Sequence, residues 1–174
     1  MNLLLLSGNS PRNKAWIDVV DSNLSELFTQ TLVHQYAHWE TGADFIDFDL
    51  ELSRLTDAVT MHQPYAIFAK SVGSILTLQG LAAGKLLPRA ILIAGLPLKL
   101  ISELTLPVTD WLRQSVIPIL IVQNENDPVG SYNEVAALIS TLDNDAISTM
   151  SLPGKTHEYE DFSKLKQLAA ALLT

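Results

Sequence analysis

The sequence predicts a three-layer α/β sandwich built on about six mostly parallel strands. Short apolar runs alternate with segments of helical period, the pattern of βα units feeding a parallel sheet. The runs are short and nearly continuous in their apolar character, as strands covered on both faces should be. With 48% hydrophobic residues in 174, the chain can bury a sizeable core without metals or disulfides. It contains no internal repeat, low-complexity tract or linker, so residues 1–174 are read as a single domain.

Leu3–Leu6 is the first predicted strand, followed by a helix with Ile17, Val20, Leu24, Leu27 and Phe28 on one face. Leu32–Tyr36 is the second strand and the weakest run, because it alternates. Leu52, Leu55 and Val59 mark the next helix, and Ala66–Ala69 the third strand, with a helix opening at Ser71. Ala90–Ala94 and Pro118–Val122 are the fourth and fifth strands, separated by the segment Gly95–Ile117. Ser131-Tyr-Asn-Glu134 has the spacing of a capping box, so the loop after the fifth strand should run from about Gln123 to Gly130. The helix it opens carries Val135, Leu138, Ile139 and Leu142. Ile147–Leu152 is the sixth strand, and Phe162, Leu165, Leu168, Ala169 and Leu172 line a last helix. Right-handed crossovers bring the loops at the strand ends to one edge of such a sheet, where ligands bind.

Composition excludes several classes of function. A net charge of −8 opposes binding to nucleic acid or to an anionic membrane surface. With no Cys there is no disulfide framework, thiolate nucleophile or sulfur-ligated zinc, which fits a reducing compartment. The opening MNLLLL lacks a basic segment and is too short for a signal peptide or a membrane span, so a cytoplasmic location is expected.

Ile67 to Ser74, IFAKSVGS, carries the clearest chemical signal. An apolar strand stops at a small residue, presents Ser71, and restarts at Gly73 as a helix. A serine on so sharp a turn is held with its hydroxyl exposed, and Ala69, Gly73 and Ser74 are small enough to let strand and helix pass closely. The helix start also aims free N–H groups and the positive dipole end at whatever the hydroxyl attacks. A serine hydroxyl needs a base, and the base needs an orienting acid. His157, in LPGKTHEYEDF, is the one histidine downstream of Ser71, and it falls between the last strand and the last helix. Asp127, in LIVQNENDPVG, follows the fifth strand and precedes Pro128, which favours an extended conformation outside the helix. Glu125 in the same loop and Asp110 after the fourth strand are the competing acids.

With these residues the chain resembles a small α/β-hydrolase, whose nucleophile elbow reads small-x-Ser-x-small and whose triad arrives in the order Ser, Asp or Glu, His. The departures are Ala69 in place of the first elbow glycine and Thr156 in place of the small residue often found before the histidine. The resemblance implies a sheet in the order 2-1-3-4-5-6 and a serine hydrolase without a full lid. It casts Ser71 as nucleophile, Asp127 as acid and His157 as base. It also implies an oxyanion hole from the N–H groups of Val72 and of Asn9 in SGNSPRN, with Ser10 as the fallback donor and a substrate contact. Carboxylic esters, thioesters or amides are the expected small-molecule acyl substrates, with no cofactor and no metal. Leu98 and Trp111, within Gly95–Ile117, either line an apolar acyl pocket as part of a short flap or simply cover the sheet.

Two other classes fit less of the sequence. A binding protein that keeps the fold without turnover would not require all three triad positions to be filled with competent residues. A flavin-binding protein could cradle phosphate on SGNSPRN but leaves Asp127 and His157 unexplained. His34 and His38 share a face, yet no third ligand is evident, so they are read as partly exposed residues near an edge strand rather than a metal pair. The acidic residues Asp44, Asp47, Asp49 and Glu51 are read as suited to a helix N-terminus. Asn23-Leu-Ser25 matches a glycosylation acceptor that a cytoplasmic protein would not use. Oligomeric state is not legible.

Overall fold

The computed structural model describes residues 1–172 and contains one six-stranded sheet. The strands are β1 (Asn2–Leu6), β2 (Thr31–Val33), β3 (Tyr65–Lys70), β4 (Ile91–Ala94), β5 (Ile119–Asn124) and β6 (Ile147–Leu152). They lie in the order β2-β1-β3-β4-β5-β6, every neighbouring pair parallel. Helices α1 (Asn13–Leu24) and α8 (Phe162–Ala171) pack on one face. On the other lie α3 (Phe48–Thr60), α4 (Val72–Ala82), α6 (Val108–Gln114) and α7 (Tyr132–Ser140), with the short α2 (His38–Thr41) and α5 (Leu98–Glu103).

The apolar runs are explained by this double cover. In β1, Leu4 and Leu6 enter the core beneath α3 and α4, while Leu3 and Leu5 enter the core beneath α1 and α8. β3 divides the same way, with Tyr65, Ile67 and Ala69 on one face and Ala66 and Phe68 on the other. Period-two alternation therefore persists, but both faces demand apolar side chains. The helices stop and start where local chemistry dictates. Ser131 and Glu134 form the expected capping box of α7, and Asp47 caps α3 by accepting from Leu50 N–H.

Two expectations are revised and one open alternative is decided. The second strand is only Thr31–Val33, because the chain beyond it turns into α2 and places Tyr36 and Trp39 in the core. His34 and His38 are not partly exposed: they are 7% and 5% exposed, and both are hydrogen-bonded. The segment after β4 forms α5 and α6, whose Ile101, Val108 and Leu112 belong to the core, so it covers the sheet. Among the described residues, no helix is long and apolar enough to cross a membrane, and no group of three or more acidic or histidine side chains is placed to hold a metal ion.

Candidate active site

Ser71 stands between β3 and α4 with φ 54° and ψ −121°, a left-handed conformation costly for any residue with a Cβ. The turn is held by the Ser71 N–H donating to Ala94 O (3.3 Å) and the Gly73 N–H donating to Ser7 O (3.2 Å). Gly73 is required by space. A Cβ there would lie 2.8 Å from both Leu6 Cβ and Ser7 O, so a side chain would force α4 away from β1. The Ser71 hydroxyl has no hydrogen-bond partner among the described residues and lines a cleft of about 230 Å³ with Gly8, Asn9, Ser10, Asn13, Lys70, His157 and Glu158.

Asp127 and His157 meet across the end of β5. His157 Nδ1 lies 2.7 Å from Asp127 Oδ2, with the carboxylate side chain fully buried and the imidazole mostly so. The same carboxylate accepts from Val129 N–H at Oδ1 (2.8 Å) and from the Tyr159 hydroxyl at Oδ2 (2.8 Å). Burial by itself would raise the carboxyl's pKa, but the bonds from His157, Val129 and Tyr159 outweigh it and hold the group below its usual range. It is therefore an anion at neutral pH, and it selects the tautomer with the proton on Nδ1. Nε2, the other ring nitrogen, is buried and has no partner among the described residues.

Val72 opens α4, so its N–H has no intrahelical acceptor. The loop after β1 is clamped from the opposite side. Asn9 O accepts from His38 Nε2 (2.7 Å) and Trp39 Nε1 (2.7 Å), and Ser7 O accepts from the Tyr36 hydroxyl (2.9 Å). The Asn9 side chain is spent on Asp44 O and Ile46 N–H, which leaves its main-chain N–H as the group available to a ligand.

The other candidates are placed apart. Asp110 is exposed on α6 and pairs with Arg113, and Glu125 is exposed beyond β5. Trp111 lines a cavity with Leu86, Leu87 and Ile117 at the opposite edge of the sheet. Leu98, at the start of α5, packs beside Gly130 and does not line the Ser71 cleft. Sequence reasoning missed Tyr159, whose burial raises its pKa and keeps the phenol protonated as a donor to Asp127. It also missed Asn124, whose amide donates to Thr156 O and Glu158 O and so fixes the backbone on both sides of His157. The H-x-Y spacing was the available signal for Tyr159; Asn124 left none.

No family model matches the sequence, and no curated protein matches it. Solved structures do. The esterase Pf2001 of Pyrococcus furiosus superposes with a TM-score of 0.79 at 14% identity, over 99% of this chain and 81% of that one. Est1E of Butyrivibrio proteoclasticus, with ferulic acid bound, gives 0.76 at 14% identity, over 99% and 87% of the two chains. An alpha-beta serine hydrolase homologue of Coxiella burnetii gives 0.75 at 16% identity, over 99% and 85%. Strand order, parallel sense and these superpositions agree: the chain has the α/β-hydrolase fold.

Proposed function

We propose that the protein is a serine hydrolase that cleaves a carboxylic ester, or a thioester or amide, through an acyl-enzyme on Ser71. The observation that carries the reading is the 2.7 Å bond from His157 Nδ1 to the buried Asp127, which leaves Nε2 unpartnered in the cleft that Ser71 also lines. Esterases and a serine hydrolase homologue among the structural neighbours support it.

In this mechanism Ser71 Oγ attacks the acyl carbon while His157 Nε2 takes the hydroxyl proton. Asp127 stabilises the imidazolium without itself taking the proton. The carbonyl oxygen, now an anion, is held by the main-chain N–H groups of Val72 and Asn9. His157 returns the proton to the leaving group as the acyl–oxygen (or –sulfur or –nitrogen) bond breaks. Water, deprotonated by the same nitrogen, then attacks the acyl-enzyme, and His157 passes that proton to Ser71 Oγ as the acyl–Ser71 bond breaks, releasing the acid and regenerating the free serine. The chemistry needs no cofactor.

Incubation with a fluorophosphonate probe followed by peptide mass spectrometry tests the assignment. Covalent label is expected on Ser71 and is lost in a folded Ser71→Ala variant. An unlabelled, folded wild type, or a labelled alanine variant, overturns the reading.

A further inference from the structure

We propose that Lys70 is a positioning residue that holds the base and the oxyanion loop in register around the nucleophile; this rests on the serine-hydrolase reading. Lys70 is the last residue of β3, adjacent to Ser71, and its side chain is only 2% exposed. A buried ammonium is costly unless each of its donors is matched. Lys70 Nζ donates to Glu158 Oε2 (2.7 Å) and Asn13 Oδ1 (3.0 Å), and it lies 4.6 Å from the centre of the Trp16 ring.

These partners lead to two parts of the site. Glu158 follows His157, so its ion pair ties the histidine loop to the strand that presents Ser71. Asn13 uses the other end of its amide to donate to Ser10 O (3.0 Å), which passes the tie to the loop carrying Asn9. Trp16 donates its indole N–H to Tyr159 O (2.8 Å), a second hold on the histidine loop. From the far side, Asn124 holds Thr156 O and Glu158 O. The His157 backbone is thus suspended between β5 and one ammonium at the end of β3.

The Glu158 side chain is 60% exposed, so its removal need not unfold the protein, yet the pair it forms ends on a buried charge. Losing it leaves a buried ammonium short of an acceptor and so costs stability. In a variant that still folds, the effect on rate comes through geometry, where a displacement of about an ångström at the reacting atoms costs up to about a hundredfold.

The test uses the rate of Ser71 phosphonylation by a fluorophosphonate, which needs no knowledge of the substrate. Glu158→Ala and Lys70→Met each sever the pair, and each is expected to lower the maximal labelling rate about tenfold while the half-saturating probe concentration stays within about twofold. The double variant should lose no more than Lys70→Met alone, which already removes the contacts to Glu158, Asn13 and Trp16. Glu158→Gln, whose amide oxygen can still accept from Lys70, should restore the rate to within about threefold of wild type. The downfield proton resonance of His157 Nδ1–H should broaden in the two severed variants and persist in the glutamine one. If Lys70→Met fails to fold, Glu158→Ala and Glu158→Gln decide the matter between them. Wild-type labelling rates in the severed variants, losses that add in the double variant, or a change confined to half-saturation would overturn the proposal while leaving the hydrolase reading intact. An unlabelled wild type overturns both.

Discussion

Gly95 and His157 approach so closely that a methyl group at position 95 would lie 2.9 Å from His157 Cε1, and 2.6 Å from Cε2 of Tyr159. Gly95 follows β4 with φ 75°, a conformation that glycine adopts without strain, and its N–H donates to Val122 O (3.0 Å). Gly95→Ala should therefore push the imidazole and the phenol away from Asp127. The kcat for hydrolysis is expected to fall by about a hundredfold, and a crystal structure of the variant should show the His157–Asp127 bond lengthened. A variant as active as wild type would mean that His157 has room to move without cost.

Asp127→Asn keeps the shape of the acid but removes the charge that selects the tautomer and stabilises imidazolium. Steady-state kinetics should show a loss on the order of 10²–10⁴ in kcat. Asp110→Asn and Glu125→Gln, both at exposed positions away from His157, should each lose less than about tenfold. A large loss at Asp110 with a small one at Asp127 would rewire the acid to α6.

Tyr159→Phe removes one of the donors to Asp127 and leaves Asn124 N–H without its 3.1 Å acceptor. The carboxyl would then be less strongly held in its ionised form. A loss of about three- to tenfold in kcat is expected, with KM little changed, and a loss above about a thousandfold would promote the phenol to an essential part of the mechanism.

Acid stability should respond to His34 before it responds to Asp127. Burial lowers the His34 pKa below its ordinary 6.5, and the bond to Glu51 does not fully compensate. The unfolded chain then takes up this proton first, so the stability contributed by neutral His34 is present above about pH 6.5 and is lost as pH falls below it. Asp127 acts lower. Its folded pKa is depressed, so its contribution is present above the unfolded value of about 4 and is lost as pH falls through the folded one. Thermal unfolding of His34→Gln should show a smaller drop in Tm between pH 7.5 and about 5.5 than wild type. An identical drop would remove His34 from the acid response.

Substrate size should follow the cleft. Ser71 opens into about 230 Å³, and α5 and α6 are tied into the core rather than standing over it as a lid. Short acyl esters of p-nitrophenol should be cleaved faster than long-chain ones, without activation at an oil–water interface. Preference for long chains would require α5 and α6 to move.

The sequence by itself located six strands, though not where the second ends, together with α1, α3, α4, α7, α8 and the turn at Ser71, because these follow from local chemistry. A strand buried on both faces must be apolar along its length, a capping box must space Ser131 and Glu134 three apart, and a strand that turns sharply into a helix needs small residues such as Ala69 and Gly73. It also named Asp127 and His157 by their order along the chain, and the structure brings these two into one hydrogen bond. Only the tertiary structure decided which side chains meet across long separations. His34 and His38 read as partly exposed residues, but Glu51, on α3, and the Asn9 carbonyl pack against them. Trp111 and Leu98 looked like pocket residues until the register of α5 and α6 turned them elsewhere. Lys70 drew no notice in the sequence; it is buried because Asn13 and Trp16 on α1 and Glu158 from beyond β6 satisfy its charge. The burial of a polar group depends on partners brought by distant segments, and periodicity within one segment carries no information about them.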